Sequence, residues 1–394
     1  MAGFTSFDDY MNQSTVNGKR KRVDWQKSHP ANGGNTPAVA GEWHCYARGA
    51  GNPAADALYN VPTALQFQCV SYETQTAAFH GGLPYGGVVG ATGADYKQIV
   101  AAGAWTAAAT VAPCVLMLVD LLGFVRSTTL TGSAVTQTVI DDSAVTTSAA
   151  DTLTHASIDF ANGTPVQISN SGGALPTGIS AATTYWTIRQ TSSTSKLAST
   201  YANAIAGTAI SITHPSGSGT NTAQTFLPRY PTGAGVQAFY FANNATAIGA
   251  GTPNLSLNYT RYGDAPATGG RTTPLVLPIG KTTPTGGHIL YSGTGSGKYG
   301  PFVPLQAADQ GIVSLESHVR SVTYTSGEHS IALCQPLLQI PITTLGVPGE
   351  RNLMHQIPSM PRVYDGACLI WLMNSGAATP VASPISGALE FAWS

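Results

Sequence analysis

Asn254-Leu255-Ser256-Leu257-Asn258-Tyr259-Thr260 alternates strictly, with Leu255, Leu257 and Tyr259 on one side and polar residues on the other. Successive side chains of a strand point to opposite faces, so this seven-residue pattern predicts a strand with one face in a core and the other exposed. Similar short segments recur through the C-terminal half: Val236 to Phe241, Ile312 to Leu315, Val319 to Thr325, His329 to Cys334, Cys368 to Met373 and Ala388 to Trp393. Turn residues separate them. Short strands with frequent turns are the sequence form of a sandwich or jelly roll, and the expected class is all-β. The apolar run Val115 to Phe124 is about half the ~20 residues a spanning helix needs. It carries Asp120 in its middle and reads as a buried strand or pair of strands.

Between about Thr128 and Thr225 the composition changes. Aromatics thin out and Thr, Ser and Ala dominate, while Thr164 to Ser169 and Thr184 to Arg189 alternate as strands around a turn-rich stretch from Asn170 to Gly178. Because the mixed apolar and aromatic pattern of residues 43–124 resumes at Phe226-Leu227-Pro228-Arg229-Tyr230, residues 128–225 are expected to be a small β-domain inserted into a discontinuous main β-domain of residues 30–127 and 226–394. Residues 1–29 are expected to be an extended N-terminal arm. It begins with a short helix, capped by Ser6 with Asp9 three residues on, that ends in a turn near Gly18 and leads into the basic run and Trp25. A short helix is also expected in the Ala-rich stretch Asp95 to Ala109, and a helical turn or two from Glu350 to Gln356.

Only 9% of the 394 residues are Asp, Glu, Lys or Arg, against roughly 25% in an ordinary soluble domain. A surface of Thr, Ser, Asn, Gly and Ala offers little like-charge repulsion between copies. That composition fits a subunit of a packed assembly. The formal charge of −1 excludes a strongly basic nucleic-acid binder as the organising idea. The local exception is Lys19, Arg20, Lys21, Arg22 and Lys27, with Trp25 among them. A short basic run without interleaved stacking aromatics reads as a solvated or partner-bound arm, with contact to packaged genome the alternative. The start of the chain, Met1 to Asp9, has neither a basic nor an apolar signal region, so synthesis and folding in a cytoplasm are expected. Cys45, Cys69, Cys114, Cys334 and Cys368 are widely spaced and mostly among apolar neighbours, and are expected to be buried free thiols.

Catalytic and ligand motifs are decoys here. Ser292 to Tyr299 looks like a phosphate loop, but the first Gly falls on Ser292 and Tyr299 stands where a magnesium-binding hydroxyl would be. The nine His residues show no metal-ligand spacing; His44 beside Cys45 has no second pair near it. Asp141-Asp142 and Asp8-Asp9 are adjacent and cannot serve as an acid/base pair on one strand face. No catalytic residue, metal or cofactor is expected.

Two sets of residues carry a resemblance. The C-terminal stretches Tyr299 to Leu305, Pro336-Leu337 to Thr344, Glu350-Arg351-Asn352-Leu353 to Pro361 and Asp365 to Leu369 are similar to virion structural proteins of tailed bacteriophages, as is the opening Gly3 to Tyr10 with Asp24-Trp25. The insert is similar to small β-modules of phage capsid, decoration and tail proteins through Gly163 to Val166, Ala174 to Ile179 and Thr184-Tyr185-Trp186. The resemblance implies a location in the virion. The leading expectation is a homo-oligomeric capsid decoration or cement protein whose chief partner is the major capsid protein, with assembly contact through Lys19, Arg20, Lys21, Arg22 and Trp25. Alternatives are the major capsid protein itself, for which no long spine helix is visible, and a tail-associated receptor-binding protein. In the last case exposed Tyr185, Trp186 and Tyr201 of the insert would stack on host glycan.

Overall fold

The computed structural model describes residues 3–30, 40–54, 67–70, 82–83, 96–126, 136–139, 142–148, 151–155, 158–213, 219–242, 254–266, 269–273, 277–278, 287–289, 300–321, 329–364, 366–380 and 382–394. They form an all-β protein of three antiparallel sheets and one closed barrel. The apolar run read from the sequence is one 13-residue strand, Cys114–Arg126. It lies in the middle of the central sheet, whose order is Gln237–Ala242, His329–Ile342, Cys114–Arg126, Leu369–Ser375 and Trp43–Cys45, with Phe67–Cys69 also on Cys114–Arg126.

One end of this sheet faces a second sheet across a core. That outer sheet runs Gly349–Asn352, Lys97–Trp105, Pro384–Trp393, Arg20–Ser28 and Gly51–Asn52, with Arg362–Val363 also on Lys97–Trp105. Leu116, Leu118, Ile340, Leu369 and Trp371 from the central sheet meet Val23, Trp25, Ile99, Leu389 and Phe391 from the outer one. The other end faces a third sheet built on Asn254–Arg261 and Ile312–Arg320, where Leu122, Val125, Tyr240 and Ile331 meet Leu255, Leu257, Tyr259 and Leu315. Met117, Val119, Phe239, Cys334 and Ile370 form a further apolar cluster on the opposite face of the central sheet. The strand predicted from 254–260 is thus present, with its three predicted core residues all at 1% exposure or less. All five cysteines are buried and free.

Asp120 lies in that central strand between Leu118, which packs towards the outer sheet, and Leu122, which packs towards the third. Its carboxylate takes two bonds from Arg229, Nε to Oδ2 at 2.8 Å and Nη2 to Oδ1 at 2.7 Å, and one from the Cys368 N–H at 2.9 Å. Arg229 also donates to the carbonyls of Val70 at 3.0 Å and Leu121 at 2.8 Å. A charge in an apolar run is tolerated because both ions of this pair are engaged in several directions at once. The pair ties the segment leaving the barrel to the central sheet.

Six strands close the barrel: Pro165–Ser171, Thr184–Thr191, Thr194–Ala198, Thr152–His155, Asp142–Ser148 and Thr220–Thr225. It encloses its own core of Leu153, Phe160, Val166, Ile168, Leu197 and Ala223. The compositional boundary at 128 is not the barrel's boundary. Thr136–Thr138 pairs with residues 317–319 of the third sheet, so the module starts at Asp142, which faces Gln224 across the ladder.

The N-terminal segment differs from an arm lying on a neighbour. Ser6 does cap the helix Phe7–Met11, its Oγ accepting from Asp9 N–H at 3.1 Å, and the turn ends at Gly18 with φ +65°. Beyond it the chain is extended as expected, but Arg20–Ser28 pairs along its whole length with Pro384–Trp393 of the same chain. The Ala-rich stretch is strand Lys97–Trp105 and not a helix. Ala102 and Ala104 point into the core, where their small side chains let the sheets approach. The segment read as helical from Glu350 splits into strand Gly349–Asn352 and a 3-10 stretch, Met354–Ser359.

Candidate functional site

The solvent face of the outer sheet carries a trough. Its floor is made of small residues, Ala101, Gly103, Ser386 and Ala388, because strand residues of that parity point outwards. Arg20, Arg22 and Asp24 form one wall, Glu350, Arg351 and Asn352 the other, and Trp105 stands at one end. Trp105 is 44% exposed, and Leu345 and Val347 nearby are 43% and 52% exposed. The three adjoin through the backbone, since Gly346 N–H donates to the Thr106 carbonyl at 2.9 Å and Gly349 pairs with Ala104. Trp105 lines the trough, and Leu345 and Val347 lie on the turn that leads into its 350–352 wall.

Of the residues expected as an assembly contact, Arg20 and Arg22 line this trough, but their charges are already balanced within the chain. Arg20 binds Glu390, which raises the guanidinium pKa above its ordinary value, and Arg22 Nε lies 2.9 Å from Asp24 Oδ1. Lys19 and Lys21 are half-buried. Lys27 is buried, its Nζ donating to the Gly49 carbonyl at 3.0 Å and the Ala54 carbonyl at 3.3 Å. Trp25 is 3% exposed and packs on Trp371 at 5.0 Å between centroids, so it is a core residue and not a surface anchor. Alternation on a paired strand explains this outcome, for Val23, Trp25 and Lys27 share the inward face.

The same holds for one of the insert's aromatics. Tyr185 is 6% exposed within the barrel core, its hydroxyl accepting from Ser180 N–H at 2.8 Å. Trp186 is half-buried against Ile188, Ala198 and Ala204. Tyr201 is half-buried, and its ring occupies the space that a side chain at Gly163 would need. Tyr185 is thereby removed from an exposed aromatic platform, while Trp186 and Tyr201 present only part of their rings to solvent.

Asp142, in the barrel's first strand, has Gln224 and not a second carboxylate as its ladder partner. Asp141 and the Ser292 to Tyr299 loop lie outside the described residues. One group of metal-ligating side chains does converge among the described residues, namely Glu42, His44 and His288. Spacing along the chain gives no sign of it, because His288 is 244 positions from His44. No helix among the described residues is long and apolar enough to cross a membrane.

Searches against protein-family models, curated proteins and solved structures found no match to this chain.

Proposed function

We propose that this chain is a structural protein of a bacteriophage particle, a decoration or cement subunit that works by contact and not by catalysis. The observation that carries the reading is a set of exposed large apolar side chains, Trp105 in the trough and Leu345 and Val347 on the turn next to it, on a chain with only 9% charged residues. Large apolar side chains left exposed near one another and bordered by polar groups suit a contact surface. The internally paired Arg20 and Arg22 give that surface hydrogen-bonding geometry without a net field, which suits a close, low-charge contact with a neighbouring shell subunit. The barrel, closed and free of sheet edges, adds a module that can stand out from the shell without inviting strand-to-strand association. The basic run is then part of the sheet that presents the contact.

Immunogold labelling of particles of the phage that encodes the chain tests this reading by electron microscopy. Label on heads is expected. Label confined to tails would move the assignment to a tail protein, and unlabelled particles would overturn it.

A further inference from the structure

We propose that Glu42, His44 and His288 form a zinc site that fastens two distant parts of the chain together. This proposal is independent of the phage reading. All three side chains are buried, at 2%, 5% and 1% exposure. His288 Nδ1 lies 3.3 Å from His44 Nε2 and 3.8 Å from Glu42 Oε2, and all three donor atoms fall within 4.8 Å of one another. Zinc held by imidazole nitrogen and carboxylate oxygen at about 2.0–2.2 Å in tetrahedral geometry needs donors roughly 3.3–3.6 Å apart. Two of these separations already match or lie close to that edge length, and the third closes with a small movement of the Glu42 side chain.

Backbone contacts hold the donors in place from both sides. His44 sits in the strand Trp43–Cys45 and bridges directly to His288. Cys45 N–H donates to the Gly287 carbonyl at 2.7 Å, Ile289 N–H to the Trp43 carbonyl at 2.9 Å, and Ala242 N–H to the His288 carbonyl at 2.8 Å. Ser375 N–H donates to the Glu42 carbonyl at 2.9 Å, placing the carboxylate on the edge of the central sheet. Ligands carried on paired backbone lose little entropy on binding. A set of two imidazoles and one carboxylate suits zinc better than calcium or magnesium, which prefer all-oxygen sites. A further imidazole, His29, stacks edge-on against His44 at 4.5 Å between centroids, with its Nδ1 3.3 Å from the Tyr46 hydroxyl. It stands next to the cluster as a neighbour that fixes the His44 ring. With its ligands 244 positions apart, the ion would close the long loop between His44 and His288.

The test uses the full untagged chain, stripped with a chelator and then titrated with zinc chloride. Elemental analysis after dialysis is expected to give about one zinc per chain, and the melting temperature to rise with added zinc and fall on chelation. Glu42→Gln and His288→Gln should each weaken zinc binding by roughly tenfold or more, by analogy with the loss seen even for outer-shell partners. If the parent chain retains no zinc after dialysis and its melting temperature ignores the metal, the proposal is overturned without recourse to any variant. Equal zinc retention by the parent and both folded variants would overturn it as well.

Discussion

Asp120 shows how one residue can be legible as a strand member and opaque as a partner. A lone carboxylate in Val115 to Phe124 demands a cation or its own neutralisation, yet nothing local names Arg229, which is 109 positions away. The bidentate geometry makes a clear expectation. Arg229→Ala leaves Asp120 buried without its guanidinium, at a cost of about 3–5 kcal/mol, whereas truncating an exposed pair such as Arg22 with Asp24 should cost under about 1 kcal/mol. Urea unfolding of the two variants checks the contrast, and similar small losses in both would contradict the role given to Arg229. Tyr185 is a second case. As a core residue whose hydroxyl accepts from Ser180 N–H, Tyr185→Phe should lower stability by about 1 kcal/mol. If that variant instead loses binding to host-cell glycan while its stability is unchanged, Tyr185 is a contact residue after all. Trp25 and Tyr185 resist reading from sequence for one reason. Trp25 is flanked by Asp24 and Gln26 and Tyr185 by Thr184 and Trp186, and only strand alternation shows which face each side chain takes.

At the scale of elements, strict alternation is readable and continuity is not. The strand around Leu255, Leu257 and Tyr259 lies where its pattern puts it, whereas the strand expected to stop at Cys334 continues through Pro336 and Pro341 to Ile342. A register shift between Pro336 and Leu338 absorbs the missing donor. Likewise Ile312 and Val319 belong to one strand, Ile312–Arg320, whose polar middle is satisfied by Glu316 accepting from Thr260 Oγ1 at 2.6 Å and Ser314 Oγ at 2.7 Å. That strand also sets a pH response. His318 on it and His329 at the start of the neighbouring sheet's long strand are both fully buried, 5.3 Å apart between ring centroids, with Arg320 and Tyr240 alongside. Burial and the Arg320 charge push His318 down to about 4, and burial, the neighbouring His318 and then the Arg320 charge hold His329 well below its ordinary value. Both imidazoles are neutral when folded, so the unfolded chain binds more protons below about pH 6.5. Stability should therefore be whole above that pH and fall as the solution is acidified towards about pH 4. Urea midpoints at about pH 7 and about pH 5, on either side of the ordinary imidazole pKa, measure the fall. The double variant His318→Gln, His329→Gln should flatten it; an unchanged slope would remove these residues as its source.

For the whole molecule, composition points to an insertion in a discontinuous body, and the physical reason lies at the seam. Asp142 and Gln224 are ladder partners, so the chain enters and leaves the barrel side by side. Val139 and Leu227, just outside it, belong to the core between the central and third sheets. Replacing residues 142–225 by a short Gly/Ser link is therefore expected to leave one cooperative unfolding transition for the body, while the change in composition at 128 gives no hint that Thr136–Thr138 must be kept. Loss of cooperativity in that deletion would show that the body depends on its insert. The proposed contact surface is the harder part to read from sequence, because the turn carrying Leu345 and Val347 comes next to the Trp105 strand only through backbone bonds such as Gly346 N–H to the Thr106 carbonyl. Each side chain is about half exposed, so changing all three to Ser should alter the folded body's stability by no more than about 1 kcal/mol. Association should respond far more strongly. Removing an apolar cluster from the centre of a contact typically costs about 2 kcal/mol or more, about thirtyfold in affinity. Under the proposed particle role, sedimentation of parent and triple variant, each alone and with empty phage heads, separates the outcomes: the variant should stay unassociated at concentrations where the parent sediments as a complex. If both associate equally, this face is not the contact, and the apolar side chains exposed on the N-terminal helix, Phe7 and Met11, become the surface to mutate next.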